Sequence, residues 1–415
     1  MSAPVPGAAA RPAMAPGVEQ VCGVTASQGF RAAGVVAGLK STGARDVALV
    51  VNDGPSRVAA AVFTSNRVQA APVVWSRQVV ADGRVDAVVL NSGGANACTG
   101  PEGFADTHHT AEHVAERLGI APGDVAVCST GLIGVRLPMP QVLAGIDTAV
   151  LALTAGPSAG AEAAAAIMTT DTVAKTSERT VAGTGPNGPI APWTVGGMAK
   201  GAGMLAPGLA TMLVVITTDA DLDAETADAA LGEAVRTTFD RIDSDGCMST
   251  NDTVLLLASG ASGTRPGAEE FTETLRDVCA DLARRLIGDA EGASHDIAVE
   301  VVHAATEDDA VEVARAVTRS NLFKAAVFGN DPNWGRVLAA VGTTSAAFNP
   351  LTLDVSMNGI QVCKAAGVGD DRELVDLSGR EVRVLIDLHA GEATATVWTN
   401  DLTHDYVHEN SAYSS

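Results

Sequence analysis

A chain of 415 residues, 47% of them hydrophobic, has the length for two or three domains and enough apolar side chain to bury a large core. Its 27 basic and 49 acidic residues leave a formal charge of −22, which lacks the basic footprint that nucleic acid or an anionic membrane surface requires. Aromatics make up only 3% against 43 glycines, so the core must be aliphatic, with close backbone approach.

The chain opens with MSAPVPGAAARPAMAPGV, which is Ala/Pro-rich and has no continuous apolar run. Residues 1–22 therefore read as a disordered tail rather than a signal peptide. No apolar run approaches the roughly 18 residues of a membrane span, and a cytoplasmic enzyme is the expectation. Short β-branched runs predict strands at 47–51, 58–63, 86–90 and 124–128. Apolar periodicity predicts helices over 106–118, 138–153, 158–168, 223–239, 268–288 and 307–319. Strands and helices interleave throughout, which predicts an α/β or α+β protein.

Residues 178–193, ERTVAGTGPNGPIAPW, read as a strand, a Gly/Pro/Asn turn and the approach to a second strand ending in WTVGGM. The GTGPNG within it matches G-x-G-x-x-G, but prolines follow where a phosphate-binding helix would have to start, so it is not a nucleotide loop. The cysteines Cys22, Cys98, Cys128, Cys247, Cys279 and Cys363 include no C-x-x-C pair. Four of them sit beside apolar or small residues as buried thiols do, and all six are expected to be reduced and structural. DPNWGR (331–336) reads as a turn shaped around Trp334.

HTAEH (109–113) fits H-x-x-E-H, with His109 and His113 one helical turn apart and Glu112 beside them. Two imidazoles on one face can share a zinc ion, but a catalytic site needs a third protein ligand and the sequence singles out none. A solvated helix face is the plainer reading.

The most informative stretch is MAKGAGMLAPGLATMLVVITTDA (198–220), a glycine- and proline-broken loop that enters an apolar strand at Thr211. A threonine entering a strand is ordinarily a half-buried strand residue. Its hydroxyl becomes a useful nucleophile only with a base beside it. The nearest base would be its own α-amine, with an unperturbed pKa of about 7.7–8.0, which exists only if the Ala210–Thr211 bond is cut.

KGAGMLAPGLATML resembles the cleavage segment of the ornithine acetyltransferases, also called bifunctional glutamate N-acetyltransferases, which process themselves in front of the Thr of an A-T-M-L motif. NSGGANACTG (91–100), CSTGLIG (128–134), IMTTDT (167–172), STNDT (249–253), DAEG (289–292), FGNDPNWGR (328–336) and the terminal ENSAYSS resemble signatures of that family, in the family's order. The resemblance implies that Thr211 is the nucleophile and also contacts substrate, and that Thr130 and Gly131 form the oxyanion hole. Thr169, Lys200, Glu291, Asn410 and Ser415 would hold the amino-acid substrate. It further implies a layered α-β-β-α sandwich like that of N-terminal-nucleophile enzymes, made from an α-chain (23–210) and a β-chain (211–415), with a smaller C-terminal α/β region at about 296–400.

Two such pairs would form an α2β2 assembly. Acetyl would pass from N-acetylornithine to glutamate through an acetyl-threonine, with no metal or other cofactor. The resemblance leaves open whether acetyl-CoA is also a donor, since the family includes members with and without that ability. His295 stands where family members often have lysine. The rival readings are an N-terminal-nucleophile aminopeptidase on the same scaffold, a zinc hydrolase using HTAEH, and a non-catalytic binding protein.

Overall fold

The computed structural model describes residues 22–182, 184–185, 188–189, 191–205 and 212–412. Except for Cys22, the tail expected at residues 1–22 lies outside these described residues. In chain order the elements are β1 (Phe30–Val35), β2 (Val47–Asn52), β3 (Val58–Phe63), α1 (Ala71–Val79), β4 (Ala87–Asn91), α2 (Gly100–Leu118), β5 (Val125–Ser129), α3 (Met139–Ala152) and α4 (Pro157–Ala166). There follow β6 (Lys175–Val181), the two-residue β7 (Thr184–Gly185) and β8 (Gly188–Pro189), β9 (Trp193–Lys200), β10 (Leu213–Thr218), α5 (Ala224–Thr237), β11 (Thr253–Ala258) and α6 (Ala268–Gly288). The last part holds β12 (Asp296–Ala304), α7 (Glu307–Thr318), α8 (Asn321–Phe328), α9 (Trp334–Val341), β13 (Asp354–Met357), β14 (Ile360–Lys364), β15 (Gly367–Val368), β16 (Glu381–Asp387), β17 (Ala393–Asn400) and α10 (His404–Ala412).

The protein is a mixed α/β structure with several sheets. One sheet has four strands in the order β1-β2-β4-β5, a second has five in the order β3-β11-β10-β9-β6, and a third has six in the order β15-β14-β13-β16-β12-β17. Side chains alternate across each strand, and this period shows which faces are covered. On β2, Ala48 and Val50 enter an apolar layer shared with Leu213 and Val215 of β10 and Leu255 and Leu257 of β11. Val47, Leu49 and Val51 instead meet Val114 of α2 and Val142 and Ile146 of α3. On β10, Val214 and Ile216 turn away from the shared layer to pack with Leu231 and Val235 of α5 and Phe271, Leu275 and Leu282 of α6. The central strands are thus buried on both faces, and β2, β4, β10 and β11 read as nearly continuous apolar runs without alternation.

Helix α4, PSAGAEAAAA, adds its alanines to the layer between the sheets. It comes so close to β1 that a Cβ on Gly34 would lie 1.9 Å from the carbonyl oxygen of Glu162. Small residues on both sides are what permit that approach. The six-stranded sheet has its own core, with Val313 and Val317 of α7 and Val337 and Val341 of α9 against Val299, Val384 and Val397.

Several elements differ at their ends from the sequence expectation. Helix α2 begins at Gly100 rather than 106, because Pro101 near its start is compatible with a first turn that has no apolar periodicity to reveal it. Strands β4 and β5 run one residue later than expected, ending on Asn91 and Ser129, polar residues that stay in the ladder. DPNWGR is a turn only as far as Asn333, and Trp334 opens α9. Cys128, Cys279 and Cys363 are buried, three rather than four; Cys22 is partly buried, Cys98 and Cys247 are exposed, and all six are free. No helix among the described residues is long and apolar enough to cross a membrane.

Charge is buried where β6 begins. The Lys175 ammonium is wholly buried, 2.6 Å from Asp171 and 2.7 Å from Asp289. It ties the segment after α4 to the end of α6. Lys175→Met would leave two carboxylates without their cation, and removing one partner of such a buried group costs about 3–5 kcal/mol. Urea unfolding of the full chain should register a loss of that size.

Candidate active site

The apolar strand β5 stops at Ser129, and the next two residues turn back against the segment that follows β4. The Thr130 amide donates to Asn91 O at 3.0 Å and the Gly94 amide to Thr130 O at 3.0 Å. Gly131 has φ +131°, and a Cβ there would lie 2.7 Å from the Gly94 nitrogen. This close crossing requires glycine. Asn251 fastens the same turn to the second sheet, donating to Ala95 O at 2.6 Å and Ser129 O at 2.8 Å.

Lys200 ends β9 and is only 1% exposed. Its Nζ donates to Thr130 Oγ1 at 2.6 Å. An ammonium can only donate, so the Thr130 oxygen accepts and its own proton is left to point elsewhere. Burial pushes the Lys200 ammonium down to about 8, against the opposing pull of Asp171 and Asp252, which favour the charged form. Burial alone would raise Asp171, but the Lys175 and Lys200 cations and the Gly201 amide outweigh it and hold its carboxyl below the usual range.

Thr169 lies in the turn after α4, where its amide donates to Asp171 Oδ2 at 2.9 Å. Glu291 lies in the turn after α6, with its amide donating to Ala202 O at 2.9 Å. A Cβ on Gly203 would lie 2.6 Å from Glu291 Oε2, so glycine makes room for this carboxylate. That turn is pinned from several sides: the Thr172 amide donates to Asp289 at 2.9 Å, and the Thr403 hydroxyl to Gly292 O at 2.6 Å. His295 is buried, with Nδ1 2.7 Å from Asp401 and Nε2 donating to Leu377 O at 2.9 Å. It is thus a clamp behind the turn. Asn410, on exposed α10, donates to Tyr406 O at 3.0 Å.

Thr130, Gly131, Thr169, Lys200, Glu291 and Asn410 all line one cavity of about 140 Å³, together with Thr170, Ile133, Ala202, Gly203 and Met204. A neighbouring cavity of about 410 Å³ shares Thr170 and Glu291 as walls. Six positions from five separate stretches of sequence thus meet in one place. Ala210, Thr211 and Ser415 lie outside the described residues. Met212, next in the chain after Thr211, donates its amide to Asp252 Oδ1 at 3.0 Å, and Leu213 pairs with Lys200 across the β9–β10 ladder. Burial pushes Asp252 well above the ordinary carboxylate range, with the Met212 amide and Lys200 opposing it.

Asp171, Lys175 and Asp252 were not singled out from the sequence. The available signals were an acid and a lysine four residues apart in DTVAK and an acid leading directly into TVLLLA. The zinc reading of HTAEH fails on geometry. His113 is 2.8 Å from Asp147, Glu112 faces His108 at 3.6 Å, and His109 is exposed. These residues do not gather into a group able to hold an ion.

A cavity with a buried ammonium and with hydroxyl, amide and carboxylate groups drawn from positions between 130 and 410 is a candidate active site. A sequence profile of the ArgJ family matches residues 31–415, and the chain belongs to that family. The arginine biosynthesis bifunctional protein ArgJ of Streptomyces coelicolor is 65% identical over 392 residues, covering 94% of this chain and 100% of its own. The protein of the same name from Thermobifida fusca is 61% identical over 392 residues, with the same coverage of 94% and 100%. A chain of ornithine acetyltransferase from Mycobacterium tuberculosis, solved in complex with ornithine, is 56% identical, with coverage of 46% of this chain and 96% of its own and a TM-score of 0.40.

Gly131→Ala would force a side chain into a left-handed position against the Gly94 backbone. Holding a non-glycine residue in such a conformation costs about 1–3 kcal/mol, and thermal unfolding compared with the wild type should show a loss at least that large.

Proposed function

We propose that the protein is an acetyltransferase of arginine biosynthesis that moves acetyl from N-acetylornithine to glutamate through an ester on Thr211. The observation that carries this reading is the convergence of Thr130, Gly131, Thr169, Lys200, Glu291 and Asn410 on one cavity in a chain of the ArgJ family. In this reading the chain severs itself between Ala210 and Thr211. The Thr211 hydroxyl attacks the acetyl carbonyl while the freed α-amine takes its proton, and the negative oxygen of the tetrahedral intermediate accepts from Thr130 Oγ–H and Gly131 N–H.

The collapse of that intermediate returns a proton to the departing amine, and ornithine leaves. The amine of glutamate then attacks the ester and restores Thr211. Lys200 has a defined part in this scheme: by donating to Thr130 Oγ1 it commits the threonine proton to the oxyanion. One such donor is typically worth about 2.7–4 kcal/mol of barrier. The Glu291 carboxylate suits the side-chain ammonium of ornithine, while Thr169, Asn410 and Ser415 suit polar groups of the amino acid.

The fold in this reading is the layered α-β-β-α sandwich of N-terminal-nucleophile enzymes. The packing of α2 and α3 outside one sheet and α5 and α6 outside the other supports it. The α-chain (23–210) and β-chain (211–415) pair into an α2β2 assembly in the cytoplasm. Small molecules are the only substrates, and assays with acetyl-CoA replacing acetylornithine report whether it is a second donor.

A denaturing gel of freshly purified protein should show two bands of nearly equal size, the second beginning at Thr211. Thr211→Ala should remain one band without transferase activity, whereas Thr211→Ser should process more slowly because it keeps the hydroxyl. An unbroken Thr211→Ala protein with full transferase activity would overturn the reading.

Transfer needs the α-amine free, with its unperturbed pKa of about 7.7–8.0, and Lys200 charged, which burial limits to pH values below about 8. Activity should therefore rise with pH and fall again as Lys200 loses its proton, giving a narrow optimum. Lys200→Met should lower kcat by about a hundredfold and remove the alkaline fall from the kcat profile.

A further inference from the structure

The third sheet carries a second cluster, which the transfer reaction does not use. His303, Asp387 and His389 place one ligating atom each within 4.8 Å of one another, and none of them lines the transfer cavity. His303 occupies the bulge near the end of β12, where the register against β17 shifts between Val301 and Ala304. Asp387 ends β16, and His389 lies two residues on. Both histidines are left-handed, at φ +51° and +50°, a conformation uncommon outside glycine. The bulge is fastened to the turn by the Ala390 and Gly391 amides, which donate to His303 O at 2.8 and 3.0 Å.

The ring contacts bring four ligating groups together. His389 Nε2 faces Asp354 Oδ2 at 3.0 Å and must donate to it, since a carboxylate only accepts. In a neutral ring that leaves Nδ1 with a lone pair, yet Nδ1 faces Asp387 Oδ1 at 3.3 Å, another acceptor. His303 Nδ1 comes to the other oxygen of the same carboxylate at 2.8 Å. The two rings stack at 6.3 Å and 16°. Protons alone would satisfy these contacts only with a hydrogen on both ring nitrogens of His389, between Asp354 and Asp387, and one on His303 Nδ1. A single cation among the three groups satisfies the same atoms with neutral imidazoles.

The geometry points to a divalent transition-metal site, of the class of Zn²⁺, with His303 Nδ1, Asp387 and His389 Nδ1 as ligands. Two imidazoles and a carboxylate are a borderline ligand set that suits zinc and its neighbours over magnesium or calcium. Ligand atoms on a tetrahedral zinc stand roughly 3.3 Å apart, given metal–ligand bonds of about 2.0–2.2 Å, so shifts of an ångström or less close the site. Asp354 fills the role of the outer carboxylate that fixes a ligating imidazole's tautomer and raises its basicity. With three protein ligands the coordination sphere stays open to water. The ion joins the β12 bulge to the turn after β16, so it stabilises the C-terminal sheet. The inference stands apart from the acetyl-transfer reading.

The test uses full-length protein without a polyhistidine tag, stripped with a chelator. Titration calorimetry with ZnCl₂ should show one saturable site per chain, and CoCl₂ should give visible d–d absorption that zinc displaces. His303→Ala and His389→Ala should abolish both signals, and Asp354→Asn should weaken zinc about 10–100-fold. Saturating zinc should raise the melting temperature of the wild type and not of the His303→Ala protein. The absence of saturable zinc binding by the wild type would overturn the inference. So would binding unchanged in the His303→Ala/His389→Ala double variant, which would place the ion elsewhere in the chain.

Discussion

One buried ammonium governs the candidate site. Lys200 sits at the last position of β9 with its charge inside the protein, and among the described residues the carboxylates of Asp171 and Asp252 and the hydroxyl of Thr130 answer it. Burying an uncompensated charge is prohibitive, so these partners have to be held in place. Asp171 is held by the Thr169 and Gly201 amides and by Lys175, which in turn reaches Asp289 beneath the Glu291 turn. Asp252 is held by the Met212 amide. A single network thus runs from the oxyanion candidate to the acidic wall, and it fixes side chains on or beside β5, β6, β9 and β11 together with a backbone amide just before β10.

The first two sheets exist to bring those strand ends together. Their apolar runs cover both faces, so register is specified by packing on two sides. Polar residues gather at strand ends, where Thr130, Lys200 and Asp252 fall. The third sheet contributes less directly: β17 leads into Asp401 and Thr403, which brace the turn bearing Glu291, and α10 brings Asn410 to the rim. His295 works in that bracing through contacts at both ring nitrogens.

Much of this was legible in the sequence, but unevenly. The β-branched runs at 47–51 and 58–63 and the periodic stretch at 268–288 found their elements because local pattern and burial agree there. The mixed α/β class followed from their interleaving. The cavity residues were legible only as motifs, through ordered stretches such as CSTGLIG and DAEG, because nothing local marks Thr130 or Glu291 as neighbours in space. Sheet order was not legible, since pairings such as β3 with β11 join residues nearly two hundred positions apart. Nor were the buried ions: a lysine beside apolar residues reads as a strand-edge charge until its partners arrive from distant segments. The histidine pair of the third sheet escaped notice for the same reason, being separated by three helices and four strands.

The order of the five-stranded sheet bears on how the molecule would behave with an opened backbone. Strands β3, β9 and β6 precede position 211, β10 and β11 follow it, and β10 is hydrogen-bonded between β9 and β11. Were the chain cut at that point, neither piece could keep a complete sheet, and separation would strip apolar strands of their neighbours. The two pieces would stay together as one body. Once denatured, however, they would have to find each other by diffusion, so recovery would become second order and dilution would turn a reversible unfolding into a permanent loss.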